Sequence, residues 1–450
     1  MAAVRAALIS LGCAKNLSDS ERLVGELKGL GIALTDRLEA ADLVLINTCG
    51  FIEPAKQESI ERILGAAQAR RPGAKLFVAG CLTERYLEAL RAELPEVDVW
   101  VPFADYSRFA DLVRRHVPGL PEHRLRHDER VQLTPPHYAY LKIAEGCDND
   151  CNFCAIPRFR GRHRSRPFAE LVEEARALQR RGVREIILIS QHLDYYHRDL
   201  DGQARLPQLV RAIAAAAPQS WIRLHYCYPN DFSDELIAAM AETPNVCRYV
   251  DMPLQHASDR MLAVMGRRTT RARIVERLDA IVRAMPDAVL RTAFIVGHPG
   301  ERPTDVACLE RFIAEGRFDH GGVFAYSDEE GTVSARMPKK LSPRTIAARR
   351  RRIERALAQA LAERAARWLG QELTVLVDAA RDFGLFACRH YGQSPGVDSV
   401  VLVEDDRLQP GMWARVRVRG LRGLDLLADC LERDAAAPFL EAPACRAGLS

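Results

Sequence analysis

Three apolar runs near the amino terminus each end in a cysteine, and this pattern constrains the fold more than any other feature of the sequence. Amphipathic patterns between the runs predict helices over Ser18–Leu30, with Ser18 as a candidate cap, and over Pro54–Ala69. Strands that alternate with helices indicate a doubly wound, parallel α/β sheet. The three runs are Ala6–Cys13, Asp42–Cys49 and Lys75–Cys81.

Parallel strands of such a sheet end along one edge, which is where ligands bind. Cys13, Cys49 and Cys81 should therefore converge in space, as the three thiolates of an iron–sulfur cluster with one open iron would. The alternative for any single one of these cysteines is a small residue at a tight turn. The flanking glycines Gly12, Gly50 and Gly80 would let the backbone approach a bulky cluster closely.

A second group of cysteines, Cys147, Cys151 and Cys154, follows a strand-like run at CxxxCxxC spacing on a loop rich in Gly, Asn and Asp. Clustered thiolates suit zinc or an iron–sulfur cluster. Zinc usually takes a fourth ligand from a nearby second pair, and none follows here. The alternative is three buried cysteines that act as small hydrophobic residues. The spacing resembles that of the radical S-adenosylmethionine (radical-SAM) superfamily, in which the open iron of a four-iron cluster binds S-adenosylmethionine.

Composition excludes few functions but indicates the setting. The chain has 450 residues, a length that predicts two to four domains. Its composition, with 48% hydrophobic and 28% charged residues, is typical of a globular protein, and its net charge is +4. No signal peptide and no membrane span is predicted, so we expect a cytoplasmic protein without disulfides. Six of the twelve cysteines are then best interpreted as idle or buried thiols: Cys227, Cys247, Cys308, Cys388, Cys430 and Cys445.

The middle of the chain repeats the alternation of strands and helices, which predicts an incomplete (β/α)6 barrel of parallel strands. Polar residues follow the strand ends, and Gln191, Gln255, Gly297 and Gly300 are candidates for binding the cofactor of the nearby cluster. The two glycines could instead simply make a turn. The predicted strands are Ala139–Ala144, Glu185–Ser190, Trp221–Tyr226, Arg248–Pro253, Val289–Val296 and Gly322–Tyr326.

A basic segment, residues 158–166, directly follows the second cysteine group. It could bind phosphate or an acidic substrate, or it could be a solvated loop.

An Ala- and Arg-rich helix is predicted over Ser342–Leu369, and short alternating runs after it predict a small antiparallel β-barrel. Between Gln371 and Cys430 there are seven arginines, no lysine and nine acidic residues, a net charge of −2. A barrel that binds tRNA should be basic, because phosphate contacts supply most of the affinity. A slightly acidic barrel better suits a basic protein partner, although a patch around Arg415, Arg417, Arg419 and Arg422 could still be basic.

The chain as a whole resembles the radical-SAM methylthiotransferases, which insert sulfur and a methyl group into an unactivated C–H bond. The matching stretches are Ser10–Asn16, Asn47–Ile52 with Gln57–Ser59, Gly80–Leu82 with Arg85-Tyr86, Pro253–Ser258 and Phe294–Glu301. Two departures stand out: the family pattern has Asp-Thr at His192-Leu193, and Ser394–Asp398 matches its acidic run only in part.

The resemblance implies an organisation and an activity. It implies a methylthiotransferase domain at 1–115, a radical-SAM barrel at 133–340, a helical connector at 341–369, a TRAM barrel at 370–432 and a tail at 433–450. It further implies two 4Fe-4S clusters and S-adenosylmethionine, with the cluster on Cys13, Cys49 and Cys81 supplying or carrying the sulfur. An electron donor such as flavodoxin or ferredoxin is also implied.

The substrate indicated within the family is an aspartate β-carbon of the twelfth small-subunit ribosomal protein. The alternatives are a tRNA (adenosine) methylthiotransferase and, in a different class, a non-catalytic iron–sulfur RNA-binding protein.

Overall fold

The structure, a computed structural model, describes residues 4–117, 120, 130–381 and 384–436, which form two compact units. The first unit comprises Met1–Thr134, Gly146–Asp148 and Ala155–Arg162. The second comprises Pro135–Glu145, Asn149–Cys154 and the chain from His163 onward. Most of the predicted tail, residues 437–450, lies outside the described residues.

The first unit contains a five-stranded parallel sheet with the order β2-β1-β3-β4-β5, so the predicted doubly wound fold is confirmed. Alternate residues of the central strand β3 pack into different cores, Leu43 and Leu45 into one and Val44 and Ile46 into the other. Burial on both faces explains why this strand is a continuous apolar run. The strands are β1 (Arg5–Ser10), β2 (Ala33–Thr35), β3 (Leu43–Thr48), β4 (Lys75–Gly80) and β5 (Val99–Val101).

Helices connect these strands, and the start of the first helix differs most from the prediction. The first helix begins at Ala14 with Cys13 as its N-cap residue, so Ser18 lies inside the helix and is not its cap. The helix begins earlier because Asn16 and Ser20, in its first turns, are buried and form hydrogen bonds with the end of β3. The α-helices of the unit are Ala14–Gly29, Glu53–Ala69, Cys81–Glu93, Phe109–His116 and Ile156–Phe159; Leu38–Ala40 and Phe103–Arg108 are 3-10 helices.

The second unit begins with six parallel strands that neighbour one another in chain order, which confirms the predicted incomplete (β/α)6 architecture. The strands are β6 (Tyr138–Lys142), β7 (Glu185–Ile189), β8 (Trp221–Leu224), β9 (Val246–Asp251), β10 (Val289–Val296) and β11 (His320–Ala325). The α-helices are Phe168–Arg180, Arg198–Asp201, Leu206–Ala216, Asp234–Glu242, Asp259–Val264, Arg271–Ala284 and Pro303–Ala314; Leu193–Tyr195 and Ser334–Arg336 are 3-10 helices. A two-residue antiparallel ladder joins Ala144–Glu145 to Arg164–Ser165.

The connecting helix spans Pro343–Ala365 and is capped by Ser342, whose hydroxyl accepts a hydrogen bond from the Thr345 amide. A 3-10 turn, Ala366–Trp368, then leads into a closed five-stranded barrel with the order β12-β13-β14-β16-β15. The predicted barrel is confirmed, with one difference: β14 and β16 pair in parallel, while the other neighbours are antiparallel. The strands are β12 (Glu372–Ala380), β13 (Leu385–Arg389), β14 (Val401–Glu404), β15 (Trp413–Arg422) and β16 (Asp425–Arg433). In the part of the chain that the structure describes, no helix is both long and apolar enough to span a membrane.

A buried polar junction joins the two barrels of the second unit. Glu185 at the start of β7 is fully buried and accepts hydrogen bonds from Arg223 at 2.6 Å and from Arg389 of the small barrel at 2.5 Å. Burial by itself would raise the pKa of Glu185, but the two guanidinium charges hold it below its ordinary value. The loop Ser394–Asp398, which matches the family pattern only in part, also contacts the larger barrel. Asp398 accepts a hydrogen bond from the Tyr249 hydroxyl at 2.7 Å, and the Ser394 hydroxyl forms a hydrogen bond with His225 at 2.9 Å.

This junction predicts that Arg389→Met destabilises the second unit by about 3–5 kcal/mol, because it removes one cation from a buried group of charges. Arg417→Met in the same barrel is the matched control. Arg417 pairs with Glu372 on the exposed surface, and its loss should change stability by less than about 1 kcal/mol. Chemical denaturation of both variants checks the prediction, and equal effects would contradict it.

Candidate functional site

Two buried asparagines fix the turns that follow β1 and β3. The Asn16 side-chain amide donates hydrogen bonds to the carbonyls of Leu11 at 2.7 Å and Thr48 at 3.1 Å. The Asn47 amide donates in turn to the Asn16 carbonyl and to the Ser20 hydroxyl, both at 2.8 Å. Because Asn16 donates to Thr48 at the end of β3 and Asn47 donates to Asn16 and Ser20 after β1, the chain positions that carry Cys13 and Cys49 are held side by side.

Close backbone packing completes this arrangement. A Cβ atom at Gly12 would lie 2.8 Å from the Cβ of Cys49 and 3.0 Å from its sulfur. Gly80, which precedes Cys81, has a φ of +98°, and a Cβ there would lie 2.3 Å from the Thr48 carbonyl oxygen. Both glycines therefore let the turns approach one another. Their predicted role in admitting a cluster stays a prediction.

The three cysteines of this edge differ in exposure. Cys13 is exposed, Cys49 is half-buried and Cys81 is buried. Burial raises the pKa of the Cys81 thiol to about 11 and also raises that of Cys49. The nearby Cys13 thiol adds to the upward pKa shift of both, and Cys49 adds to that of Cys81. Thiols of this kind become thiolates when a metal displaces the proton.

Among the residues described, no three His, Cys, Asp or Glu side chains come together closely enough to ligate a single metal ion. A four-iron cluster has a different requirement, since each cysteine binds a different iron and the ligands are spaced more widely. The donor set of three thiolates after three adjacent strands thus fits a cluster better than zinc.

Arg160 is an unexpected part of the same unit. Its side chain is buried, with Nη2 3.1 Å from the sulfur of Cys81 and Nη1 2.7 Å from the carboxylate of Asp19. The basic segment 158–166 had two interpretations, a phosphate or acidic-substrate site and a solvated loop. Neither interpretation describes Arg160, which is buried against protein groups. By contrast, the side chain of Arg162 is 89% exposed and Arg158 is also exposed, as expected of a solvated loop.

The loop of the second cysteine group is divided between the two units. In the first unit, the Cys147 amide donates to the Gly161 carbonyl at 3.1 Å. In the second unit, the Cys154 amide donates to the Cys151 carbonyl at 3.0 Å, and Arg267 Nη1 lies 3.7 Å from the sulfur of Cys151. The sequence analysis included Arg160 only as part of the basic segment and did not single out Arg267, because neither residue belongs to a motif that names its role.

Arg267 itself is held firmly in the second unit. It donates to the Pro253 carbonyl at 2.6 Å, and its guanidinium carbon lies 4.2 Å from the centre of the Tyr228 ring. Tyr228 and Pro253 both follow carboxyl ends of barrel strands, so the strand ends and Cys151 lie close together in this unit.

The predicted cofactor residues lie at the carboxyl ends of neighbouring strands. Gln191, after β7, donates to the Glu145 carboxylate at 2.5 Å. Its side-chain oxygen and the hydroxyl of Ser190 are buried and have no protein partner. Buried polar atoms without a partner are unusual in folded proteins and mark places where a ligand could bind.

The other predicted residues define turns at the same edge. Gln255 has a φ of +71°, and its amide donates to the Ala293 carbonyl at 2.8 Å. Gly297 and Gly300 have φ values of +85° and +80°, so both make left-handed turns. A Cβ at Gly297 would lie 2.7 Å from Ile346 of the connecting helix, whereas one at Gly300 would meet nothing within 4 Å.

His192, one of the two departures noted in the sequence, has a defined place in this edge. It is buried, with Nδ1 3.0 Å from the Asn149 amide nitrogen and Nε2 3.2 Å from the Asp231 carboxylate. Burial raises the pKa of Asp231, but His192 and Arg198 outweigh it and the net direction is downward. His192 thus connects Asn149, two residues before Cys151, to Asp231 within the second unit.

Comparison with known proteins identifies the family. Three family descriptions match: an uncharacterized protein family, UPF0004, at residues 5–102, the radical SAM superfamily at 141–313 and the TRAM domain at 369–431. The ribosomal protein uS12 methylthiotransferase RimO of Symbiobacterium thermophilum is 43% identical over 444 residues, covering 95% of this chain and 91% of that protein. The RimO of Myxococcus xanthus is 40% identical over 436 residues, covering 95% and 91%. The chain belongs to the RimO family.

Solved structures share the fold of this RimO-family chain at low identity. The radical S-adenosylmethionine methyltransferase TsrM from Kitasatospora setae matches with a TM-score of 0.54 and 16% identity, over 71% of this chain and 72% of that one. The cobalamin-dependent radical enzyme OxsB matches with a TM-score of 0.51 and 12% identity, over 79% and 56%. These likenesses concern the fold alone.

The packing around Gly80 predicts that Gly80→Ala destabilises the first unit by at least about 2 kcal/mol, since the methyl group meets backbone atoms and φ is positive. Gly65→Ala is the matched control. Gly65 lies inside the helix Glu53–Ala69 with open space around it, so alanine should stabilise by about 0.5–1 kcal/mol. Thermal unfolding of both variants provides the comparison, and a neutral Gly80→Ala would contradict the packing described.

Proposed function

We propose that this chain is a methylthiotransferase that attaches a methylthio group to the β-carbon of an aspartate in ribosomal protein uS12. The observation that carries this proposal is the similarity to proteins named RimO, which extends along about 95% of the chain. The three regions that match family descriptions span most of the chain, which supports the proposal for the chain as a whole and not for one domain alone.

The proposal assigns Cys147, Cys151 and Cys154 to a four-iron cluster that binds S-adenosylmethionine. When bound, the cluster and its cofactor supply a 5′-deoxyadenosyl radical able to take hydrogen from an unactivated C–H bond. The CxxxCxxC spacing and the match to the radical SAM superfamily support this assignment. Within the second unit, Arg267 lies beside Cys151 and would fix the orientation of that ligand. Arg267 is itself held by its hydrogen bond to the Pro253 carbonyl and by its contact with the Tyr228 ring.

The residues at the strand ends would bind and orient the cofactor. The unpartnered oxygen of Gln191 and hydroxyl of Ser190 can make hydrogen bonds to its polar groups. Gln255, Gly297 and Gly300 would contribute backbone turns at the same edge, where the absence of a side chain at Gly300 leaves open space. Buried groups of this kind also keep water away from the reacting carbon.

We assign Cys13, Cys49 and Cys81 to a second four-iron cluster, which would supply or carry the sulfur. Support comes from the position of the three cysteines after three adjacent parallel strands and from the close packing of the turns at Gly12 and Gly80. The asparagine pair Asn16 and Asn47 would keep these ligands in register during the reaction.

A protein substrate agrees with the surface of the small barrel better than tRNA does. Three of the four arginines in the patch on β15 already pair with acidic residues: Arg415 with Glu432 at 3.4 Å, Arg417 with Glu372 at 2.5 Å and Arg419 with Asp429 at 3.0 Å. Cations paired in this way offer less positive potential to phosphates. With a ribosomal substrate, the proposal includes a cytoplasmic location and an electron donor such as flavodoxin or ferredoxin.

The two clusters predict different losses of activity. Cys151→Ala should abolish both cofactor cleavage and methylthiolation, because the cofactor then has no cluster to bind. Cys49→Ala should retain measurable cleavage to 5′-deoxyadenosine and lose sulfur insertion. Cys430→Ala, in the small barrel, is the control and should keep both activities. Chromatography of deoxyadenosine with mass spectrometry of the product measures the two together, and parallel loss of both in Cys49→Ala would count against separate roles.

The proposed substrate is tested with anaerobically reconstituted protein, S-adenosylmethionine, sulfide and a reductant. Ribosomal protein uS12, or a peptide of its aspartate loop, and unmodified tRNA are offered separately, and mass spectrometry detects an added methylthio group. Modification of uS12 alone is the expected result. Modification of tRNA alone would mean that the reaction is right and the substrate wrong, and no cofactor cleavage at all would support the non-catalytic alternative.

A further inference from the structure

We propose that Arg160 is a positioning residue that sets the reduction potential of the cluster on Cys13, Cys49 and Cys81 by donating a charge-assisted hydrogen bond to the sulfur of Cys81. The inference rests on the second cluster of the proposed function. It gives a role to a residue of the basic segment that the ligand assignment leaves unexplained.

The contacts of Arg160 are specific and come from several elements of the first unit. Nη2 lies 3.1 Å from Cys81 Sγ and 3.2 Å from Asn16 Oδ1, while Nη1 lies 2.7 Å from Asp19 Oδ2. The guanidinium carbon is 4.1 Å from the centre of the Phe103 ring. Asp19 and Asn16 lie on the helix that begins directly after Cys13, so Arg160 links this helix to Cys81.

Burial makes this hydrogen bond effective. Arg160 is 5% exposed and Asp19 also 5%, so solvent screens their charges weakly. An N–H group of a charged donor interacts more strongly with an anionic acceptor than a neutral donor does. Hydrogen bonds to cluster sulfurs and local charge are two of the factors that set the potential of an iron–sulfur cluster.

The sign of the effect follows from charge. Adding one electron makes the cluster more negative, and a neighbouring guanidinium stabilises that state, so Arg160 raises the potential. Asp19 opposes it, since its carboxylate neutralises part of the charge and takes up one nitrogen of the guanidinium. No bond in the protein has to form or break during this one-electron change.

Arginine is suited to this role because its planar guanidinium can reach Asp19, Asn16 and Cys81 at the same time. Lysine would keep the charge but has a single nitrogen to divide among these partners. A merely structural Arg160–Asp19 ion pair would hold the helix in place but would leave the potential unchanged when the charge is removed.

The test uses the full chain with Cys147, Cys151 and Cys154 all changed to alanine, so that one cluster remains. After anaerobic reconstitution, iron and sulfide are counted, and the cluster is titrated with dithionite and redox mediators while electron paramagnetic resonance follows its reduction. In this background Arg160→Met should lower the ratio of reduced to oxidised cluster at least tenfold at a fixed potential, which is about 59 mV for one electron. Arg160→Lys should shift it less.

Arg158→Met is the matched control, since Arg158 is exposed on the short helix Ile156–Phe159 that ends directly before Arg160, and its loss should leave the potential unchanged. Asp19→Asn provides a second variant that keeps the arginine, and it should shift the potential in the positive direction. If Arg160→Met fails to hold a cluster, this second variant decides the question.

Three outcomes would overturn the inference. An unchanged potential in Arg160→Met, with its iron retained, would leave Arg160 as a structural ion pair only. An unchanged or more negative potential in Asp19→Asn would contradict the charge argument. A parent chain that binds no iron would instead remove the proposed second cluster, and the inference with it.

Discussion

The mutual hydrogen bonding of Asn16 and Asn47 is the interaction on which the cysteine-bearing edge of the first unit depends. The two amides lie between the ends of β1 and β3, and each donates to a backbone carbonyl of the other segment, Asn16 to Thr48 and Asn47 to Asn16. Each asparagine donates more than one hydrogen bond, so a single substitution here would break several of them. A buried amide left without a partner costs about 1–3 kcal/mol. The close packing at Gly80 then brings the third turn against the second. A parallel sheet only brings the strand ends to one edge; these contacts set the spacing of the three thiols.

The second unit is stabilised differently, through charges buried where its two barrels meet. Glu185, Arg223 and Arg389 form a group with no exposed member, and Asp378 continues it into β12. Such groups contribute little to net stability compared with apolar packing, but removal of one partner leaves a buried charge uncompensated and is strongly destabilising. The small barrel is therefore part of the framework that holds the strands of the larger one, in addition to any contact it makes with a substrate.

Much of the fold could be predicted because apolar runs and helical periodicity report directly on burial. The strand β10, at Val289–Val296, has the bounds that the pattern predicted. The strands β2 and β5 were missed because each has three residues, too few for a period to show. The Ser18 cap was wrong because the turn at Cys13 starts the helix four residues earlier, and capping patterns do not register such tertiary demands. The parallel pairing of β14 with β16 depends on how the barrel closes, which local sequence does not encode.

In the candidate site too, local sequence predicted some features and tertiary contacts determined the others. Cysteine spacing indicated the chemistry, whereas Arg160 and Arg267 could not be found from spacing, because their partners lie far away in the chain. The proposed reaction requires two separate clusters. Mössbauer spectroscopy of ⁵⁷Fe-reconstituted protein tests this directly, in the unaltered chain and in two variants that replace either Cys13, Cys49 and Cys81 or Cys147, Cys151 and Cys154 by alanine. We predict that each variant keeps half of the iron as a four-iron cluster. A variant that keeps all of the iron, or loses all of it, would contradict two independent sites.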